Sequence, residues 1–256
     1  MINRAGYISL GTTKLLILLG ILLFASCKND HYRQHRAAQA SLCLSFDDYS
    51  VDEWFALRGL FLKYNARVTF FVTKFDTLTA SQVQKLRILQ QDGHEIGFHG
   101  ARHFLSEHYI KKHSMDQYLQ EEIVKGLKVM ADSGFRTTSF AYPYSAKYWF
   151  TDKELLNYFY VLRSSLPLTE DITKLNDIYY PFDGGRLITA ISIDKGKGLN
   201  KELLAKAMTR AKEKKEALLL HGHEPVLSFD VDFLEEILKM ANDSQLAFLR
   251  VSDLVM

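Results

Sequence analysis

Residues 41–48 read Ser41-Leu42-Cys43-Leu44-Ser45-Phe46-Asp47-Asp48, an apolar run that stops on two adjacent carboxylates. Residues 217–223, Ala217-Leu218-Leu219-Leu220-His221-Gly222-His223, repeat the pattern and end on imidazoles instead. A run apolar on both faces is what a parallel strand covered on both sides requires. Further strand-like runs lie at 67–73, 95–98, 138–142, 158–163, 187–193 and 246–251. Amphipathic stretches separate them at 51–64, 79–91, 114–132, 199–215 and 229–242, with a helix start at Ser114 and stops at Asp92-Gly93 and Ser133-Gly134. This alternation predicts an α/β chain, a distorted (β/α) barrel of about seven strands in a single domain over residues 40–256. The chemistry of such a barrel sits where strands end and loops begin, which is where Asp47, Asp48 and His221 fall.

Upstream of this domain the sequence reads differently. Arg4 and Lys14 precede an unbroken apolar run over 15–25 that closes on Phe24-Ala25-Ser26-Cys27. The run is well short of the ~20 residues of a bilayer span and fits a signal peptide. Small residues leading into a cysteine resemble a lipoprotein signal over 1–27, with Phe24 where the strictest form has Leu. Residues 28–39 are polar and read as a tether. The expectation is an exported protein, lipid-anchored through Cys27 in a bacterial cell envelope. The other cysteine, Cys43, sits in an apolar strand, so no disulfide framework is expected.

The chain has 32 Lys and Arg against 30 Asp and Glu. The surplus is Arg4 and Lys14, which leaves residues 28–256 balanced and argues against a nucleic-acid partner.

Four elements carry chemistry. Asp47 and Asp48 can serve one site only just past a strand end, because neighbours inside a strand face opposite ways. Two carboxylates so close repel unless a cation lies between them. In Glu95-Ile96-Gly97-Phe98-His99-Gly100-Ala101-Arg102-His103, two imidazoles four residues apart follow a short strand and can converge on one ion. Phe140-Ala141-Tyr142-Pro143-Tyr144 ends another strand in a proline turn, and the last apolar strand delivers His221.

In this order the elements resemble the polysaccharide deacetylases, the family-4 carbohydrate esterases, over about residues 40–256. The resemblance implies that Asp48, His99 and His103 bind a divalent metal, zinc being the expected ion and Co2+ or a similar ion the alternative. It implies Asp47 as general base, His221 as general acid and the Tyr144 backbone N–H as donor to the reacting carbonyl oxygen. The implied reaction removes N-acetyl, or alternatively O-acetyl, groups from an acetylated glycan.

Two positions depart from the family pattern. Ala141 stands where the family has an arginine that orients the catalytic aspartate, and Arg163, at the end of the next strand, is the candidate to replace it. The family's Asp-Trp segment is missing, and Asp194 or Asp183 is expected to hold the acid histidine instead. His94 is expected to support its turn, His108 and His113 to lie on the surface, and His223 to line the mouth of the site or be solvated. Trp54 is expected in the core; Tyr148 and Trp149 are candidates to stack on a sugar ring, with core packing the alternative for Trp149. A non-catalytic glycan-binding lipoprotein and a cyclic amidase of the same fold are the competing readings. The sequence does not fix the oligomeric state.

Overall fold

The computed structural model describes residues 37–255. The expected signal peptide with Cys27, and residues 28–36 of the expected tether, lie outside the described residues.

Among the described residues nine strands form one sheet: β1 Ser41–Asp48, β2 Thr69–Val72, β3 Glu95–Phe98, β4 Ser139–Ala141, β5 Val161–Leu166, β6 Tyr179–Tyr180, β7 Leu187–Ser192, β8 Ala217–Gly222 and β9 Ala247–Leu249. Seven of them, β1, β2, β3, β4, β5, β7 and β8, run parallel and close into a ring through the pairing of β8 with β1. The closure is uneven. β1 and β8 pair from Ser41↔Ala217 to Phe46↔Gly222, whereas β3 and β4 share only Phe98↔Phe140. The predicted distorted barrel is the fold.

Alternation along the strands makes two cores. Leu42, Leu44 and Phe46 of β1 point outward and join Phe70, Phe98, Phe140, Leu218 and Leu220 beneath the helices. Cys43 points inward, with Phe71, Ala141, Val161, Ala190 and Leu219. Towards the C-terminal ends of the strands the same inward columns run on into Asp47, His99, Arg163 and His221, all buried.

The opposite end is closed by the C-terminal segment. β9 pairs with the start of β1, Ser41↔Ala247 to Cys43↔Leu249, on the edge that β2 takes over from Ser45 onward. The turn Ser252–Leu254 then docks on the buried Glu95 carboxylate. Glu95 accepts from Ser252 N at 3.0 Å, Thr69 Oγ1 at 2.9 Å and Ser139 Oγ at 2.7 Å.

Local differences from the sequence expectations have physical causes. The strand expected at 158–163 begins at Val161, because Arg186 donates to the carbonyls of Leu156, Phe159 and Tyr160 and holds that segment as a loop. The helix expected over 51–64 divides at Leu57 into Val51–Ala56 and Arg58–Lys63. The helix over 114–132 starts where Ser114 Oγ accepts Gln117 N and contains a wide π-helical turn, Leu119–Val124. Helices Ser106–Lys112 and Trp149–Leu155 and the strand Tyr179–Tyr180 were not anticipated.

Candidate active site

A cleft of about 770 Å³ opens at the C-terminal end of the barrel strands, the size of a small-molecule site. Asp47, Asp48, His99, His103, Tyr144 and His221 all line it. Each arrives by a local device.

Asp48 ends β1 with φ +90°, outside strand geometry, so its carboxylate need not follow the outward side of the pleat. Thr73 N anchors the turn by donating to Asp48 O at 2.9 Å. His103 also sits in left-handed backbone, at φ +62°, four residues after His99. The result is a compact donor set. His99 Nε2 and His103 Nε2 lie 3.2 Å apart, and Asp48 Oδ1 is 3.4 Å from His103 Nε2 and 3.7 Å from His99 Nε2. Donors held at about 2.0–2.1 Å around a tetrahedral ion stand roughly 3.3 Å from one another. The three atoms therefore fit a divalent cation such as zinc.

The tautomer agrees. His99 Nδ1 is 2.8 Å from the Ala141 carbonyl, which can only accept, so Nδ1 carries the proton and Nε2 offers its lone pair. Burial lowers the His99 pKa to about 3, which keeps the ring neutral and able to ligate over the whole physiological range. Ala141, the family's arginine position, thus still serves the site through its backbone.

Arg163 supplies the missing cation. It is the register partner of Ala141 on β5, and its Nη2 donates to Asp47 Oδ1 with both side chains buried. Its guanidinium lies 5.2 Å from the centre of the Phe71 ring. Burial alone would raise the Asp47 pKa. Arg163 and the neighbouring histidines override it and hold the carboxyl well below the ordinary range.

The two histidines at the end of β8, His221 within it and His223 just beyond it, differ. His221 is buried beside Asp47, with Nδ1 3.6 Å from Asp47 Oδ2 and no hydrogen-bond partner on either ring nitrogen. Burial lowers its pKa, so it is neutral. His223, two residues on and on the same face, is half-exposed at the cleft mouth. Asp194 Oδ2 lies 2.6 Å from His223 Nδ1, and Asp194 Oδ1 accepts the His223 backbone N–H at 3.2 Å. Burial opposes the charge, but Asp194 and the nearby Asp47 and Asp48 raise the His223 pKa to about 9.

Asp194 is therefore in the site, but it holds His223 and not His221. Asp183 is elsewhere, in a loop where Oδ1 accepts Gly185 N. Sequence reasoning underrated His223. The signal available was the His221-Gly222-His223 spacing, which puts both rings on one strand face.

The remaining candidates fall as follows. Tyr144, at φ +58° after Pro143, sets its ring 4.5 Å from that of His103. His94 is buried, accepts Val68 N through Nδ1 and supports its turn. His108 and His113 are exposed. Trp54 is in the core and donates from Nε1 to the His223 carbonyl at 3.1 Å. Trp149 is exposed and stacks on Phe150 with ring centres 3.5 Å apart, so it does not pack inside.

No curated protein matches the sequence. Solved structures match the fold. They include the peptidoglycan deacetylase PdaC of Bacillus subtilis, at 18% identity and TM-score 0.52, covering 84% of this chain and 90% of that one. The catalytic domain of the peptidoglycan N-acetylglucosamine deacetylase of Eubacterium rectale matches at 18% identity and TM-score 0.53, with 84% and 90% covered. A mutant of BA3943, described as a family-4 carbohydrate esterase pseudoenzyme with restored activity, matches at 13% identity and TM-score 0.55, with 86% and 69% covered. The sequence itself matches the polysaccharide deacetylase family over residues 34–158, a stretch that holds Asp47, Asp48, His99, His103 and Tyr144. That stretch is similar to the polysaccharide deacetylases, and it spans just under half of the chain.

Proposed function

We propose that this protein is a metal-dependent hydrolase that removes N-acetyl groups from an envelope glycan. The observation that carries the reading is one cleft combining a buried, ionised Asp47 with three ligand atoms at metal-binding separations. Asp48, His99 and His103 would hold the ion, which supplies Lewis acidity to the acetyl carbonyl and to water. Asp47, fixed by Arg163, takes the proton from water as its oxygen adds to the acetyl carbon. The N–H groups of Ser145 and Ala146 are already bonded to Tyr142 O and Pro143 O, which leaves that of Tyr144 to meet the carbonyl oxygen. The C–N bond then breaks, a protonated histidine donates to the nitrogen, and acetate and the amine leave.

The resemblance makes His221 the proton donor; the geometry favours His223. A donor must hold its proton and reach the leaving group, and His223 is charged and at the mouth, while His221 is neutral and buried beneath it. His221 then borders Asp47 and helps to fix it.

The neighbours described as peptidoglycan N-acetylglucosamine deacetylases make β-linked N-acetylglucosamine the first substrate to try. The cation of Arg163 on Asp47 counts against a non-catalytic glycan binder, since a binding protein does not require that pair. Acetate release from N- and O-acetylated glycans, with and without chelation and added zinc, tests the reading. Activity is expected on N-acetyl substrates, lost on chelation and lost in Asp48→Ala together with the metal. Asp47→Asn should keep metal and lose turnover, and His223→Gln should lose more kcat than His221→Gln. Failure to release acetate from any glycan sinks the proposal. The lipid anchor is tested separately: Cys27→Ala should move the protein from membrane to soluble fraction, and unchanged fractionation rejects the anchor.

A further inference from the structure

We propose that Glu122 is a positioning residue for the divalent-cation site, the template around which the loop carrying His103 is folded. The inference rests on the reading of Asp48, His99 and His103 as ligands.

Glu122 lies in the π-helical turn Leu119–Val124 and has no exposed surface. Its carboxylate meets the loop on both sides of His103. Oε2 accepts the backbone N–H of Arg102 and Oε1 that of Phe104, each at 2.7 Å. Its main-chain carbonyl accepts Ala101 N at 3.0 Å. The chain between His99 and Phe104 is thereby wrapped around one side chain.

The loop is shaped for that carboxylate. Gly100 has φ +85°, and a Cβ there would come within 2.1 Å of Glu122 Oε1. Two features of the backbone thus depend on one another: the glycine leaves the room, and the carboxylate fills it.

His103 itself is a non-glycine residue in left-handed backbone, a conformation that costs roughly 1–2 kcal/mol and persists only where the surroundings impose it. The bonds on either side, at Arg102 and Phe104, impose it. A buried glutamate ordinarily takes a basic side chain as its partner. Here the basic side chain on the loop it grips, Arg102, is turned outward onto Asp76 at 2.8 and 3.1 Å. The carboxylate is spent on backbone N–H groups, and those belong to the residues flanking a ligand. Supporting groups of this kind typically change metal affinity 10–100-fold when removed.

Co2+ titration followed by its visible absorption, on the full domain, tests this. In Glu122→Gln one acceptor oxygen becomes an NH2 group facing an N–H. Its Co2+ Kd is expected to rise about 10–100-fold, with an altered absorption band and retained far-UV circular dichroism. Leu234→Ala, which opens a hole under the outer helix Val231–Asp243, should lower Tm and leave the Kd and band unchanged. If Glu122→Gln does not fold, Glu122→Asp carries the test. It keeps the charge but cannot span both N–H groups, and the same loss is expected. A Kd within twofold of wild type in whichever variant folds, while His103→Ala abolishes binding, overturns the positioning role alone. A wild-type protein that binds no Co2+ overturns the metal-site reading and this inference with it.

Discussion

The Arg163 guanidinium and the Asp47 carboxylate are both withdrawn from solvent, so neither can be removed alone without stranding the other. Arg163→Ala is expected to cost about 3–5 kcal/mol in urea denaturation. The double variant with Asp47→Asn should cost less than the sum of its parts, and strict additivity would disprove the coupling. The sequence made Ala141 look like a loss; the register Ala141↔Arg163 makes it a one-strand relocation of the same cation. Which residue faces which across a sheet is a matter of register, and the sequence does not state it. The ligands were easier to read, because Asp48, His99 and His103 are close in sequence to strand ends. His223 was harder, since its importance comes from Asp194, a residue on another connection. In metal-free protein the His223 imidazole should titrate near 9 by NMR. The pKa is raised on folding, so the stabilisation is complete below the unfolded value of ~6.5 and is lost as pH climbs through about 9. Asp194→Asn should bring the titration back to about 6.5 or lower; an unchanged value would mean that Asp194 is not the cause.

At the level of elements, the apolar strands announced themselves and the short amphiphilic pieces did not. β1, β2 and β8 are visible as largely apolar runs because both their faces are covered. Tyr179–Tyr180 is too short to show a period, and Ser106–Lys112 is mostly exposed, so neither leaves an apolar stripe. In the sequence Glu95 only opens the short strand before the histidines, yet its carboxylate ties β2, β4 and the C-terminal turn together inside the barrel. No linear pattern predicts that meeting. Glu95→Ala leaves several buried donors without acceptors and should cost about 3 kcal/mol. Metal affinity should not change, because Glu95 and His99 sit four strand residues apart, roughly 13 Å. Denaturation and Co2+ binding on the same variant check both halves, and a weakened Kd would show that the base of the barrel sets the rim.

For the molecule as a whole, an ion bound to the folded form and not to the unfolded chain must stabilise it. Free zinc at 100 times its Kd should add about 2.7 kcal/mol, visible as a rise in Tm that a chelator reverses. An unchanged Tm would contradict a site built only on folding. The ring closure has a further consequence, for the order in which the chain can assemble. β1 is the first strand made, but its neighbours β8 and β9 are made near the end, so β1 waits with one edge unpaired until Ala217–Gly222 has emerged. Contacts so distant in sequence slow folding, because the long intervening loop must close before they form. During that wait the strand that bears Asp47 and Asp48 is an open, apolar edge and a target for chaperones or for a neighbouring chain. Synthesis halted short of residue 217 should therefore yield an aggregation-prone species and not a smaller working barrel.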